Sequence, residues 1–209
     1  TLMKSKWIAC LMAAMLIVTA PAAAKNKGTQ TILDNWGSVT VPQNIYMEAG
    51  TQPTLAAQEA DNDMAAYIAE VLPANTPRTY QIVKMDQGVF QYAYMLHYTL
   101  SAADVRSLVG TDGMSVTAAN DALRQRLPRG FYLVDALTEH KSNGTVFYTG
   151  AVERNLFING NGFIERMYIL AWQHGTYTEA ALIIGRNEGS DDLLPDVLNM
   201  LMQAKVSKR

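Results

Sequence analysis

Residues 146–205, VFYTGAVERNLFINGNGFIERMYILAWQHGTYTEAALIIGRNEGSDDLLPDVLNMLMQAK, decide the fold. Val146 to Ile158 ends at Asn159-Gly160-Asn161-Gly162, a run whose residues all tolerate positive φ, so the chain reverses and continues as Phe163 to Gln173. His174-Gly175 offers a second reversal, and Thr176 to Gly185, rich in Thr, Ile, Leu and Tyr, returns as a third strand. In this register Phe163, Met167, Ile169 and Ala171 share one face, and Ile164, Tyr168, Leu170 and Trp172 share the other. Both faces are largely apolar, a pattern that asks for cover on both sides of the sheet. A helix from Ser190 to Lys205 supplies part of it: Ser190 is an N-cap, Asp191 and Asp192 suit the positive end of the dipole, and Leu194, Val197, Leu198, Leu201 and Met202 recur at helical spacing. Pro195 falls near the first turn, where its missing amide costs little.

Upstream, Ser38 to Val41 reads as a short strand stopped by Pro42, and Leu55 to Leu72 as a helix with Thr54 as N-cap. Tyr80 to Met85 and Val89 to Leu100 form a hairpin around Asp86-Gln87-Gly88, with Phe90, Tyr92, Tyr94, Leu96 and Tyr98 on one face. Ser101 and Asp104 open a short helix to Val109 that Asp112-Gly113 breaks, and a further helix runs from Val116 to Leu127. Phe131 to Glu139 is the next strand, turning at Ser142-Asn143-Gly144. The expected fold is therefore α+β: one mainly antiparallel sheet of about six or seven strands with helices on both faces, an α/β/α sandwich. Residues 38–209 form its single domain, after a polar lead-in over 25–37.

Residues 1–24 have the parts of a signal peptide: Lys4 and Lys6, the apolar run Ile8 to Val18, and Ala22-Ala23-Ala24 before a cut near Lys25. This predicts an exported protein, periplasmic or secreted, in the cell envelope. No later stretch approaches the roughly 20 apolar residues of a transmembrane helix. The one cysteine, Cys10, sits near the start of the apolar run, whereas a lipid anchor needs it afterwards, so the mature chain is expected to carry no thiol. With Lys4 and Lys6 removed, 17 basic residues become 15 against an unchanged 19 acidic ones, a formal charge of about −4. That balance argues against a nucleic-acid partner, whose phosphates call for a basic excess on one face.

The candidate chemistry is sparse. His97, His140 and His174 show none of the pairings that metal sites build on, so no metal is expected. His174 reads as a turn residue and His97 as a strand residue facing away from the tyrosine row. His140 has Asp135, Glu139 and Ser142 near it, but Glu139 and His140 point to opposite faces of a strand and no Gly-x-Ser-x-Gly elbow exposes a nucleophile. No catalytic residue is assigned; the alternative is a small extracytoplasmic hydrolase using His140 with Asp135 or Glu139. Gly160-Asn161-Gly162 lacks the third glycine and following helix of a dinucleotide loop, and Asp61-Asn62-Asp63 lacks the later ligands of a calcium loop, so no cofactor is expected. Arg154 lies diagonal to Glu165 and Glu153 diagonal to Arg166, as register-setting ion pairs, with Arg166 also a candidate for an anionic ligand. Tyr98, Arg166 and Trp172 are the residues from which a ligand-binding groove is expected.

The early Val39-Thr40-Val41-Pro42 strand, the late meander and the closing helix through Leu193-Leu194-Pro195 to Met202 together resemble the PsbP-like and Mog-like α/β/α sandwich. The likeness is architectural and covers most of the mature chain; cystatin-like and nuclear-transport-factor-like sheets share parts of it. It implies an accessory or binding protein without catalysis, whose partner is an envelope protein or a small ligand.

Overall fold

The computed structural model describes residues 29–33, 36–50, 63–110, 115–185 and 193–206. The leader expected over residues 1–24, the helix start expected over 54–62, Asp112-Gly113 and the expected Ser190 to Asp192 cap lie outside them. In chain order the elements are strands β1 (Thr29–Leu33), β2 (Gly37–Val41) and β3 (Ile45–Gly50), helix α1 (Asp63–Val71), strands β4 (Arg78–Asp86) and β5 (Val89–Leu100), and helices α2 (Ala102–Val109) and α3 (Val116–Arg126). Strands β6 (Phe131–Ser142), β7 (Thr145–Ile158), β8 (Asn161–His174) and β9 (Tyr177–Gly185), helix α4 (Leu193–Met202) and strand β10 (Lys205–Val206) follow.

Turn chemistry builds the large sheet. Gln87-Gly88, Asn143-Gly144 and Asn159-Gly160 each hold both residues at positive φ, between 47° and 83°, which is the reversal whose twist matches that of paired strands. The resulting sheet has seven strands in the order β3-β4-β5-β9-β8-β7-β6, and every adjacent pair is antiparallel. A second sheet, β1-β2-β10, has three strands. The described chain is thus an α+β fold built mostly on an antiparallel sheet.

Four expectations change. The β7–β8 turn uses two residues, not four, so Ile158 pairs with Asn161, and Arg154 and Glu153 stand directly opposite Glu165 and Arg166 rather than diagonal to them. The next reversal begins at Gly175: His174 stays in the ladder opposite Tyr177. Helix α4 ends at Met202, where Gln203 N–H bonds the carbonyls of Asn199 and Met200, and Lys205 belongs to β10 opposite Ser38. Strands β1 and β3, absent from the sequence reading, pair with β2 and β4.

Strand β6 is irregular, with register shifts on either side of Asp135. Asn120 of α3 clamps the strand there, donating to the Leu137 carbonyl at 3.1 Å and accepting from the Leu137 amide at 2.7 Å. Gly150 faces the same distortion, where an added Cβ would lie 2.9 Å from the Asp135 carbonyl oxygen.

Apolar side chains gather in two clusters that divide β5 between them. Ala93 and Met95 pack with Leu193, Leu194, Val197 and Leu201 of α4 and with Trp36, Val39 and Val41. Tyr94, Leu96, Tyr98 and Leu100 pack with Met64 of α1 and Val105 of α2. Strand β8 divides likewise, Met167 with the second set and Leu170 and Trp172 with the first.

Candidate functional site

A cavity of about 160 Å³ lies between the second of these faces and helices α1, α2 and α3. Tyr98 and Leu100 of β5, Ile169 and Ala171 of β8, and Thr178, Ala180 and Leu182 of β9 form its floor. Met64, Tyr67 and Ile68 of α1, Val105, Leu108 and Val109 of α2, and Ala119, Ala122, Leu123 and Arg126 of α3 form its walls. The space arises because small residues face one another: Ala119 and Ala122 on the helix side meet Ala171 and Ala180 on the sheet side.

The walls are held by polar contacts. The Ser101 hydroxyl accepts from Asp104 N–H at 3.2 Å while the Asp104 carboxylate accepts from Ser101 N–H at 2.8 Å, closing the start of α2. Asn75 donates to the Thr99 carbonyl at 2.9 Å and to Asp104 at 3.3 Å, tying the segment after α1 to β5 and α2 together. At the other end of α2, Gly110 adopts φ 80°, and Arg126 Nη1 donates to the carbonyls of Ser107 and Leu108 at 3.1 and 3.2 Å. Arg126 is exposed and marks the mouth of the cavity; Tyr98, 4% exposed, lies deep in it. Burial pushes the Tyr98 phenol well above its usual range, and the charge of a neighbouring Tyr94 adds to the shift, so the hydroxyl keeps its proton.

Tyr98, Arg166 and Trp172 do not come together. Side chains alternate along a strand, which places Arg166 with Trp172 on the face opposite Tyr98, about 20 Å apart at six residues of strand rise. Trp172 has no exposed surface; it packs 4.1 Å from Trp36 and 5.8 Å from Phe147. Arg166 donates to Glu153 at 2.7 Å. Burial works against its charge, but Glu153 and the neighbouring Tyr168 outweigh that and raise its pKa.

His140 is exposed, and its side-chain partner is the Thr138 hydroxyl at 3.0 Å; neither Asp135 nor Glu139 bonds to it. The geometry of a hydrolytic triad is not formed there. Among the described residues no group of three or more His, Cys, Asp and Glu side chains could hold a metal ion, and no helix is long and apolar enough to cross a membrane.

Sequence spacing gave no hint of a buried polar cluster on the Trp172 face. Glu179 has no exposed surface, yet its Oε2 accepts from the Thr99 hydroxyl at 2.7 Å and meets His97 Nε2 at 2.9 Å. A carboxylate only accepts, so His97 carries its proton on Nε2. His174 Nδ1 lies 3.6 Å from Glu179 Oε1. Burial raises the Glu179 carboxyl, but hydrogen bonds from His97 and Thr99 overcome it and the net shift is downward, so the group is ionised at neutral pH. With His97 and His174 at 2% and 4% exposure, the cluster is sealed and a substrate has no access to it. His97 and Glu179 are 82 residues apart, which is why no local motif announces them.

No protein-family model matches the chain, and no curated protein matches its sequence. Among solved structures it is similar to LpqN of Mycobacterium tuberculosis, described as involved in cell envelope biogenesis, at 11% identity and a TM-score of 0.41 over 88% of this chain and 87% of that one.

Proposed function

We propose that this is an exported, non-catalytic envelope protein, periplasmic or secreted, that acts as an accessory or binding module, and that the cavity beneath α1, α2 and α3 holds its ligand. Export rests on the basic, apolar and small-residue parts of residues 1–24. The division of β5 between two apolar clusters supports a sheet covered by helices on both faces, of the PsbP-like and Mog-like kind.

The cavity carries the binding reading. An apolar space of roughly 150 Å³ accommodates one benzene-sized molecule, so about 160 Å³ suits a small compound or the end of a longer one. Tyr98 belongs to this site; Arg166 and Trp172 do not. A thermal-shift titration with small apolar compounds tests it, because any ligand that prefers the native state raises its melting temperature. Binding is expected in the wild type and lost in Ala180→Leu, whose larger side chain occupies the space. If no apolar compound stabilises the wild type, the cavity is not the site and an envelope protein partner takes its place. Turnover of an ester, peptide or glycan that disappears in His140→Ala would replace the binding reading with the hydrolytic one.

A further inference from the structure

Tyr98 is the odd group in the cavity wall. Its hydroxyl makes no hydrogen bond to any described residue, although the side chain is buried and lines an otherwise apolar floor. Buried phenols ordinarily find a partner; this hydroxyl oxygen is not among the fully enclosed polar atoms that lack one, so it keeps accessible surface, and the cavity is the space it borders. The other polar groups of the lining are accounted for differently. Thr178 donates to Gln173 at 3.2 Å, Tyr67 is half-exposed on α1, and Arg126 is bonded to α2 carbonyls.

Arg126 also bears on ligand charge. The carboxyl end of α2 meets its guanidinium through the Ser107 and Leu108 carbonyls, and that end carries partial negative charge. The arginine offsets that charge, so it is not a spare cation awaiting an anionic head group. The rest of the lining offers nothing to stabilise an ion.

We infer that the cavity takes a compact, uncharged apolar molecule whose single oxygen acceptor, a ketone, ester or lactone carbonyl, receives the hydrogen of the Tyr98 hydroxyl. This deepens the reading of the cavity as the ligand site and rests on it. The raised phenol pKa fits, since it keeps Tyr98 a donor throughout the physiological range.

Three probes of nearly equal size separate the terms: cumene as the hydrocarbon, acetophenone as the neutral acceptor and benzoate as the anion. Affinities are measured by protein-observed NMR titration on the methionine methyls, Met64 lying in the cavity wall. Acetophenone and cumene bind the wild type, and benzoate binds at least tenfold more weakly than acetophenone. In Tyr98→Phe the preference for acetophenone over cumene falls by about threefold to tenfold, the worth of one hydrogen bond, while cumene binding is kept. An unchanged preference overturns the role of Tyr98 but leaves the cavity as a site. Tighter binding of benzoate, lost in Arg126→Gln, overturns the neutral ligand in favour of an anionic one. Failure of all three probes to bind removes the cavity as a site, and the inference falls with it. Should Tyr98→Phe not fold, the Tyr98 Cζ resonance of the wild type decides: it shifts with acetophenone and not with cumene if the bond forms.

Discussion

Glu179 shows how much one buried carboxylate depends on its neighbours. Its lowered pKa means that the ionised form stabilises the fold above the unfolded value, close to 4.5, and that this contribution is lost as pH falls through the folded value. Replacing it by Gln keeps the shape and removes the titration. The stability advantage of the wild type over Glu179→Gln, from urea unfolding at several pH values, is therefore expected to be full near neutrality and to shrink on acidification. A difference independent of pH would sink that account. The two cross-strand ion pairs make a second contrast. Arg154 and Glu165 are nearly sealed, 2.6 Å apart, with the guanidinium 5.2 Å from the Phe131 ring centroid. Removing one partner strands a buried charge, so Glu165→Ala is expected to cost about 3–5 kcal/mol, whereas Arg154→Met with Glu165→Leu comes close to neutral. Arg166 is 39% exposed, and Glu153→Ala is expected to cost no more than about 1 kcal/mol. Equal losses for the two single variants in chemical denaturation would contradict this ordering.

At the scale of elements, glycines separate turns from close approaches. Gly160 sits at φ 83°, and a Cβ added there would meet nothing within 4 Å, so Gly160→Ala suffers only the backbone penalty, about 1–2 kcal/mol. At Gly150 the added methyl meets backbone atoms of Asp135 and Leu137 at 2.9 and 3.1 Å, and neither can swing aside. Gly150→Ala is expected to be the more damaging, by about 1–3 kcal/mol of overpacking, and to weaken the Asn120 clamp on β6. Similar melting temperatures for the two variants would show that β6 yields. The hairpins were legible in the sequence because Asn-Gly and Gln-Gly state their geometry locally, and the Ser101–Asp104 cap and the α4 stripe were legible for the same reason. Strands β1, β3 and β10 were not: each is short and lies at a sheet edge, where long-range pairing decides. The cavity was hidden because its wall residues, taken one at a time, read as ordinary core. Only their meeting across seven elements leaves a space, and of the expected site residues only Tyr98 stands at it. Strand alternation put Arg166 and Trp172 on one face of β8, but that Tyr98 of β5 lies on the other face follows only from the β5–β9–β8 register, which is not in the local pattern.

The whole molecule is dominated by contacts between distant parts of the chain. Strand β5 meets its partner β9 with Ala93 opposite Gly185 and Leu100 opposite Thr178. Such pairings close long loops before they are rewarded, so folding is expected on the millisecond-to-second scale of β-rich domains, and refolding followed by tryptophan fluorescence in stopped flow measures it. Completion within microseconds would mean that β5 and β9 are not part of the rate-limiting assembly. The small sheet adds a constraint of timing. One edge of β2 is filled by Lys205 and Val206, and the cluster around Trp36 is finished by Leu201 and Ala204. A ribosome releases those residues only after every other described element has emerged. The first strands of the chain therefore wait for its last described ones, and the small sheet and the Trp36 cluster are the parts of the molecule whose closure comes last in the order of synthesis.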